Sequence, residues 1–304
     1  MYWLLSRETC GSAVESCVSL SFRNTIRFPR HKDAVFLSAI AMPRSSDYLG
    51  FYRTRFDSYE TGLAILNSRL QLVLELGVTI PKCEDPRSFV LKDEIYVVDN
   101  HMTEPRHWYN IHSMQTVTAK TSHPQQGKNW SPLIYNETLH FIFSLDPLCI
   151  IRCDVHTGNC IDLHDVCKEK AHGGEWRGGT NAIVLGSLIA GFGHRTMPGA
   201  HHEPFFWTFP ISSLFIPNTT KVEMYPINDT FHRSYGWVHP SNLLGVHDPS
   251  ALVMRRGELL LVMTESDTDW FREQTYNLTT YKVHLTRPCS ATSPDVSAAK
   301  RRWA

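Results

Sequence analysis

The sequence predicts an all-β protein and, more specifically, a five-bladed β-propeller. Apolar residues recur with a period of two, and no 12-residue window carries a clean helical stripe. Five segments share one outline: an apolar run, a polar turn and a second apolar run, which is the pattern of a β-hairpin. From the second hairpin onward the turns are spaced by roughly 44, 50 and 69 residues, close to the length of a propeller blade.

The predicted hairpins cover residues 35–52, 88–98, 133–143, 182–192 and 251–263. Further strands are predicted at residues 70–76, 149–154, 205–209 and 279–285, where they would serve as outer strands of the blades. A β-sandwich would also supply many strands, but it would not explain why a polar motif precedes each successive hairpin.

The predicted domain organisation places the propeller at residues 35–286. Residues 1–34 are an N-terminal extension that is either truncated or completes the last blade. Residues 287–304 are rich in Ser, Ala, Lys and Arg and are predicted to be a disordered tail.

Charge and composition exclude some classes of partner. Thirty basic residues balance thirty acidic ones in this 304-residue chain, so no global field favours nucleic acid or an anionic membrane. No segment approaches the ~18 apolar residues of a membrane helix, and the first five residues are too short for a signal peptide. Five Asn-X-Ser/Thr triplets favour a glycoprotein of the secretory pathway, with the cytoplasm as the alternative. Their asparagines are Asn129, Asn136, Asn218, Asn228 and Asn277.

The eight cysteines permit disulfides without requiring them. Cys153 and Cys160 flank a short turn and would either bridge it or remain buried thiols. A zinc site is the weaker interpretation, because no CxxC pair is present. Its ligands would come from Cys149, Cys153, Cys160, Cys167, His156 and His164. We therefore predict no metal site and no cofactor.

The motif Glu84-Asp85-Pro86-Arg87 stands directly before the second hairpin. On an extended chain adjacent side chains point to opposite faces, so one acid is expected to face the propeller axis and the other to brace the backbone. Proline suits the beginning of a strand. The arginine would either hold a carboxylate or bind a substrate anion. A salt-bridged blade corner is the structural alternative.

Similar polar residues occur at the other hairpins. Arg53 ends the first, Lys128 and Asn129 precede the third, Arg177 precedes the fourth and His194 follows an apolar strand. Each alone is compatible with a structural role. Together they predict a pocket with three or four cations and one or two carboxylates, which suits a phosphate or diphosphate better than water activation between paired acids.

Five motifs resemble those of glycoside hydrolase family 130 and its relatives, inverting carbohydrate-active enzymes built on a five-bladed propeller. The resemblance extends from about residue 35 to residue 271. The motifs are Tyr52-Arg53, Glu84-Asp85-Pro86-Arg87, Lys128-Asn129-Trp130-Ser131-Pro132 with Phe143-Ser144-Leu145-Asp146-Pro147, Arg177-Gly178-Gly179-Thr180, and Gly193-His194.

The resemblance implies that Asp85 is the general acid and that phosphate is bound by Arg53, Arg87, Lys128 and His194. Family phosphorylases release mannose 1-phosphate from β-mannosides, related eukaryotic proteins transfer mannose from a nucleotide sugar, and others are hydrolases. Two departures stand out. Asn129 follows Lys128 where the phosphorylases carry aspartate, and Asp267 follows an altered last motif, which leaves it as a ligand of a sugar hydroxyl.

We therefore expect inverting glycosyl transfer at a β-mannoside-type linkage, with a glycan and either inorganic phosphate or a nucleotide sugar as substrates. Glu84, Asn129 and Arg177 are expected to line the same pocket. One alternative is hydrolysis, which requires a second carboxylate about 6.5–9.5 Å from Asp85. Its candidates are Glu175, Asp248 and Glu265. The other alternative is a carbohydrate-binding propeller without catalysis.

Overall fold

The computed structural model describes residues 18–42, 45–55, 57–101, 106–121, 129–164, 176–196, 202–215, 221–227, 231–233, 236–238, 246–266 and 276–286. Within these ranges the structure is nearly all β, and the only helix is one 3₁₀ turn at Ile211–Leu214. A helix with the length and apolar character needed to cross a membrane does not occur in the described residues.

The strands form five radial sheets, which are the blades of a propeller. The N-terminal strand is β1 (Val18–Ile26). Blade 1 contains β2 (Val35–Ala41), β3 (Tyr48–Arg53), β4 (Glu60–Leu66) and β5 (Leu72–Pro81). Blade 2 contains β6 (Arg87–Leu91), β7 (Glu94–Asp99), β8 (His107–Asn110) and β9 (Thr116–Thr118). Blade 3 contains β10 (Ser131–Tyr135), β11 (Thr138–Leu145), β12 (Leu148–Cys153) and β13 (Cys160–Asp162).

The fourth blade has a divided inner strand. Its strands are β14 (Trp176–Gly178), β15 (Ile183–Leu185), β16 (Leu188–Thr196), β17 (His202–Pro210) and β18 (Glu223–Pro226). A separate hairpin is formed by β19 (Phe231–Arg233) and β20 (Gly236–Val238). Blade 5 contains β21 (His247–Arg255), β22 (Glu258–Ser266) and β23 (Tyr276–Leu285). The first strands of blades 5, 1, 2, 3 and 4 contact one another in turn, and β16 contacts β21 to close the ring, so the inner strands surround the axis.

The last blade is completed by the N-terminal strand. β1 pairs antiparallel with β23, with Phe22 opposite Tyr281 and Leu20 opposite Val283. The sheet order is therefore β1-β23-β22-β21, and the two ends of the described chain close the ring together. The domain boundaries at 34 and 287 stay predictions, and the predicted tail at 287–304 lies outside the described residues.

The five predicted hairpins are confirmed by the pairing of β2 with β3, β6 with β7, β10 with β11, β15 with β16 and β21 with β22. Three of their turns place two successive residues at positive φ, as type I′ turns require. These pairs are Lys92-Asp93, Asn136-Glu137 and Arg256-Gly257.

All four predicted outer strands are present, but three of them are the third strand of their blade and not the outermost one. Residues 149–154, 205–209 and 279–285 overlap β12, β17 and β23, which are third strands with β13, β18 and β1 outside them. Only the prediction at 70–76 overlaps a true outer strand, β5. The short strands β8, β9 and β13 were missed because they carry too few apolar residues to show a period.

The hydrophobic core of the described residues contains a ring of five clusters between neighbouring blades, and a smaller sixth cluster joins Val35, Phe36 and Tyr276. Phe192 and Leu261 contribute to the cluster between blades 4 and 5, and Trp108 and Phe141 to the one between blades 2 and 3. All six residues of β3, the second strand of blade 1, are buried because both of its faces pack against neighbouring blades. This packing fixes the inner strands around the axis.

A disulfide joins Cys153 to Cys160 across the short turn between β12 and β13. The two sulfurs are therefore unavailable to a metal, and the zinc interpretation is wrong for these cysteines. His164 is also engaged, since its ring nitrogens lie 3.0 Å and 2.9 Å from the carbonyl oxygens of Leu148 and Ser213. Cys167 lies outside the described residues.

The glycosylation triplets differ in accessibility. Asn136 is exposed in the turn between β10 and β11, whereas Asn129 is buried and Asn277 is half-buried. Asn218 and Asn228 lie outside the described residues. Asn136 is therefore the accessible acceptor among the three that the structure describes.

Candidate active site on the propeller axis

Charged side chains from several blades meet where the inner strands begin. We call eight of them the axial cluster: Arg53, Glu84, Asp85, Arg87, Arg177, His194, His202 and Asp248. Burial lowers the pKa of Arg87, while the charges of Asp85 and Asp248 oppose that shift. One guanidinium thus interacts with a carboxylate beside blade 2 and another in blade 5.

The central contact of the cluster is an ion pair between Arg53 and the two adjacent acids. Arg53 Nη1 donates to Asp85 Oδ1 at 2.8 Å and to Glu84 Oε1 at 3.1 Å. Arg53 Nε also donates to the carbonyl oxygen of Ser58 at 2.6 Å. All three charged side chains are buried.

The expectation that Glu84 and Asp85 face opposite directions is wrong. Asp85 has a φ of 46°, in the left-handed region, so the backbone at this position is not extended. The turn brings both carboxylates to one guanidinium. Such conformations cost free energy and persist only where the surroundings enforce them.

Arg87 holds the backbone of the motif and not the Asp85 carboxylate. Its Nη1 donates to the carbonyl oxygens of Pro86 at 3.0 Å and Asp85 at 3.3 Å. Its Nε is buried and has no hydrogen-bond partner in the described structure. Arg87 therefore does not hold a carboxylate by a hydrogen bond within the described residues, and its Nε–H is available to bind a substrate anion.

Residues at the end of β7 hold the backbone of the Glu84-Asp85-Pro86-Arg87 motif in place. The sequence did not predict these contacts. Asp99 Oδ1 accepts bonds from the backbone N–H groups of Glu84 at 2.7 Å and His101 at 3.1 Å. Asn100 Nδ2 donates to the Asp85 carbonyl oxygen at 3.1 Å, and Asn100 Oδ1 accepts from the backbone N–H of Trp130 at 3.1 Å. Burial raises the pKa of Asp99. The sequence feature that could have indicated these contacts is the polar pair Asp99-Asn100 at the end of the apolar strand β7.

Arg106 is a further cation that was not predicted. It is fully buried, and its guanidinium lies 5.5 Å from the ring centroid of Trp130. Burial lowers its pKa to about 10, against the opposing charges of Asp99, Glu84 and Asp85. Its Nη1 donates to the His101 carbonyl oxygen, while Nε and Nη2 have no partner in the described residues.

The Arg177-Gly178-Gly179 motif brings three inner strands close together. A Cβ on Gly178 would lie 2.6 Å from Ser131 Oγ and 2.7 Å from the Asn129 carbonyl oxygen in blade 3. A Cβ on Gly179 would lie 2.6 Å from the Pro249 carbonyl oxygen in blade 5. The glycines therefore permit blade 4 to approach blades 3 and 5 closely beside Arg177, which lies opposite His194 in the β14–β16 pair. Arg177 Nε has no hydrogen-bond partner in the described residues.

His194, His202 and Asp248 form a buried group of their own. Asp248 Oδ1 lies 2.5 Å from His202 Nδ1 and 3.1 Å from His194 Nδ1. The two imidazole rings stack with centroids 4.2 Å apart and an interplanar angle of 7°. His202 was not predicted, and Asp248 was predicted only as a candidate base.

Burial governs the protonation of this group. It lowers the pKa of His194 to about 3, although the Asp248 charge opposes the shift; the charges of His202, Arg177 and Arg87 add to it. Burial alone would raise the pKa of Asp248, but His194, His202 and Arg87 outweigh it and hold that pKa below its ordinary range. At neutral pH the group therefore contains a neutral His194 and an ionised Asp248.

Some predicted site residues lie outside the axial cluster, and others are not among the residues that the structure describes. Lys128, Glu175 and Asp267 are not among the described residues. Asn129 is buried at a φ of 69° beside Gly178. Glu265 accepts hydrogen bonds from Thr279 Oγ1 and Tyr281 Oη, both at 2.6 Å, which makes it a poorer candidate base than Asp248.

A separate cavity of about 630 Å³ opens between blades 2 and 3. Tyr96, Arg152 and His156 are among its lining residues, and none of the axial cluster is. Its position gives it no part in the chemistry of the cluster.

The chain has the architecture of a five-bladed β-propeller, and solved proteins share that fold. It superposes on a GH43 beta-1,3-galactosidase with a TM-score of 0.56 and 8% identity, over 86% of this chain and 94% of that one. It superposes on the catalytic domain of the Coprinopsis cinerea GH62 alpha-L-arabinofuranosidase with a TM-score of 0.55 and 10% identity, over 88% of this chain and 97% of that one. A GDP-Man-dependent mannosyltransferase from Leishmania mexicana superposes with a TM-score of 0.52 and 11% identity, over 93% of this chain and 94% of that one.

A short stretch of the sequence is similar to curated yeast proteins. It is 32% identical over 71 residues to beta-mannosyltransferase 1 of Komagataella phaffii, covering 20% of this chain and 11% of that protein. Beta-mannosyltransferase 2 of the same species is 32% identical over 69 residues, or 22% and 11% of the two chains. The chain thus matches about a tenth of the length of these relatives. No protein-family model matches the chain.

Proposed function

We propose that this chain is a carbohydrate-active enzyme that transfers a mannosyl unit with inversion, using a phosphate-bearing donor and a glycan acceptor. The fold is shared with glycosidases and with a GDP-Man-dependent mannosyltransferase. The short similarity to beta-mannosyltransferases supports mannosyl transfer as the reaction. Assignment to glycoside hydrolase family 130 itself belongs to the same proposal.

The observation that carries the proposal is the set of unpartnered guanidinium N–H groups in and beside the axial cluster. Arg87 Nε, Arg177 Nε and two nitrogens of Arg106 are buried without a partner in the described residues. A buried donor that lacks an acceptor costs about 1–3 kcal/mol, and more when the group is charged. A phosphate or diphosphate supplies several acceptor oxygens and negative charge, so its binding would remove that cost.

Asp85 is the proposed acid–base residue. Transfer to an acceptor hydroxyl requires a base that removes the hydroxyl proton, and the reverse reaction with phosphate requires the same group as an acid. Inversion proceeds by a single displacement, so one such residue suffices when a phosphate-bearing donor supplies the leaving group. Electrostatic stabilisation by the arginines would then provide much of the acceleration.

Arg53 links donor binding to the state of Asp85. Its Nη1 is bonded to both Glu84 and Asp85 in this structure. A phosphate that accepted a bond from Arg53 would compete with Asp85 for the guanidinium and leave the Asp85 carboxylate free to accept a hydrogen bond from the acceptor hydroxyl. In this way binding of the donor would prepare the acid–base residue for the acceptor.

Hydrolysis is the second candidate, and Asp248 favours it. This buried carboxylate is held ionised and interacts with Arg87, which also interacts with Asp85. An inverting hydrolase needs such a second carboxylate to activate water. Its bond to His202, however, already occupies Oδ1.

The test uses three reactions, each with the full chain and a mannoside acceptor. The first contains GDP-mannose, the second mannose 1-phosphate and the third no donor. Formation of a β-mannosidic bond from either donor is the expected result. Free mannose without a new glycosidic bond would support hydrolysis instead. Glycan binding without turnover of any donor would overturn the enzyme proposal and support the binding propeller.

A further inference from the structure

We propose that His194, His202 and Asp248 form a binding site for one divalent cation of the zinc type. The side chains come from the end of β16, the start of β17 and the start of β21, so the site would join blades 4 and 5. One ligand atom from each residue lies within 4.8 Å of the others. Two imidazoles and a carboxylate, with a position left for water or substrate, are a ligand set that zinc uses in enzymes.

Two of the three separations between ligand atoms are already close to those that an ion requires, and all three ligand atoms lie within 4.8 Å of one another. Ligand atoms about 2.0–2.2 Å from a tetrahedral or octahedral metal lie about 2.8–3.6 Å from one another. His194 Nδ1 and Asp248 Oδ1 are already 3.1 Å apart. The 2.5 Å separation of His202 Nδ1 and Asp248 Oδ1 must open by a few tenths of an ångström. The parallel rings must also tilt so that both Nδ1 lone pairs point at one ion.

His194 provides an independent indication of a missing ligand. Its side chain is 4% exposed, and neither ring nitrogen makes a hydrogen bond within the described structure. Asp248 Oδ1 is near Nδ1, but the contact does not have hydrogen-bond geometry. An imidazole so buried normally has its nitrogens satisfied. A metal ion at Nδ1 would satisfy the nitrogen that faces Asp248.

The charge next to His194 favours a cation over an anion at this point. The resemblance to glycoside hydrolase family 130 implies that His194 binds phosphate, but a phosphate oxygen at Nδ1 would lie against the Asp248 carboxylate. Two negative groups in direct contact repel each other strongly where water is excluded. A cation is attracted by the same carboxylate. The nearby arginines, Arg87 and Arg177, oppose a cation, and an anion shared between them and the metal would offset that repulsion.

Binding replaces a proton. The contact between His202 Nδ1 and Asp248 Oδ1 is a hydrogen bond when Nδ1 carries the proton. A metal at this position takes the Nδ1 lone pair, so in a neutral ring the hydrogen moves from Nδ1 to Nε2, whereas a doubly protonated ring keeps the Nε2 hydrogen and releases the Nδ1 proton to the solvent. No bond to carbon changes and no electron is transferred.

The experiment measures binding of Zn²⁺ to the full chain after removal of metals with a chelator. Calorimetric titration is expected to show one tight equivalent in the wild type. Asp248→Asn and His202→Gln should each weaken that equivalent more than about 100-fold, since losing only an outer-shell partner already costs about 10–100-fold. The matched control is His112→Gln, which alters an exposed histidine outside the cluster and should bind like the wild type.

Co²⁺ provides a second readout that needs no variant. A site with two imidazoles and a carboxylate should give visible d–d absorption bands in the wild type, which one equivalent of Zn²⁺ abolishes. Absence of these bands, or equal Zn²⁺ binding in folded Asp248→Asn, His202→Gln and His112→Gln proteins, would overturn the proposal. Neither measurement contains sugar or nucleotide, so the result is independent of the proposed transfer reaction.

Discussion

Arg53 and Asp85 form a buried ion pair between two blades, with 2.8 Å between Nη1 and Oδ1. Arg53 ends β3 in blade 1, and Asp85 precedes β6 in blade 2. The same Nη1 also contacts Glu84, so one guanidinium neutralises part of a pair of adjacent acids. The contact therefore serves the stability of the blade interface as well as the proposed chemistry.

Arg53→Gln is expected to destabilise the fold by about 3–5 kcal/mol, because two buried carboxylates lose their cation. The measurement is the free energy of unfolding from urea denaturation. The control is Arg55→Gln, which removes a neighbouring arginine whose ion pair with Asp57 is largely exposed. That variant should lose no more than about 1 kcal/mol. Equal effects of the two substitutions would show that the buried pair contributes little.

Arg177→Gln is expected to raise the KM for a phosphate-bearing donor by about tenfold or more, because a charge-assisted hydrogen bond contributes about 1.5–3 kcal/mol. Steady-state kinetics with GDP-mannose measure this effect, and the KM for the acceptor should change little. Arg152→Gln, at an exposed arginine in blade 3, is the matched control. An unchanged donor KM in Arg177→Gln would remove this residue from the donor site.

Gly179→Ala is expected to lower the thermal midpoint more than Gly186→Ala does. At Gly179 the new methyl group would lie 2.6 Å from the Pro249 carbonyl oxygen, so the inner strands of blades 4 and 5 must separate. Overpacking costs about 1–3 kcal/mol and occasionally more, and a contact this short with backbone, which cannot rotate away, is expected at or above the upper end of that range. Gly186 has a φ of 62° but open space around it, so alanine there adds only backbone strain of about 1–2 kcal/mol. Indistinguishable midpoints would contradict the close approach.

His140→Gln is expected to change how stability depends on pH. Burial lowers the pKa of His140, and the charge of Arg152 lowers it further, although the bond to the Thr138 carbonyl opposes the shift. Below the unfolded value of about 6.5 the unfolded chain therefore binds a proton that the native protein does not. This costs the wild type up to about 1.4 kcal/mol per pH unit as the pH falls.

The variant lacks this proton linkage, so its stability relative to the wild type should improve between pH 7 and pH 5. Urea denaturation at several pH values measures the difference. Parallel stability curves for the two proteins would show that the native ring takes up its proton as readily as the unfolded chain does.

The hairpins were predictable because their turns carry residues that tolerate positive φ, such as Asn136 and Gly257, between apolar runs. The register was set by the same turns. Buried strands such as β3 show little alternation, because neighbouring blades cover both faces. The role of β1 could not be derived from its own pattern, since the strand that it pairs with lies at the other end of the described chain.

The positions of Asp85 and Arg177 in the axial cluster were predictable because both residues stand at the beginning of inner strands. Asp99, Asn100 and Arg106 were missed because they come from the ends of other segments and reach the motif only through blade packing. His202 was missed for a related reason, since its partner Asp248 belongs to the next blade. The relation of Glu84 to Asp85 was mispredicted because a single positive φ reverses the expected alternation.

The most direct test compares Asp85→Asn with Asp93→Asn in the transfer assay, with the new linkage identified by NMR. Asp93 is exposed in the turn between β6 and β7 at a φ of 64°, a conformation that asparagine tolerates well. We predict that the wild type and Asp93→Asn form a β-mannoside from the α-configured donor, and that Asp85→Asn is slower by about 10²–10⁴-fold. A folded Asp85→Asn protein that transfers mannose at the wild-type rate would contradict the assignment of Asp85 as the acid–base residue.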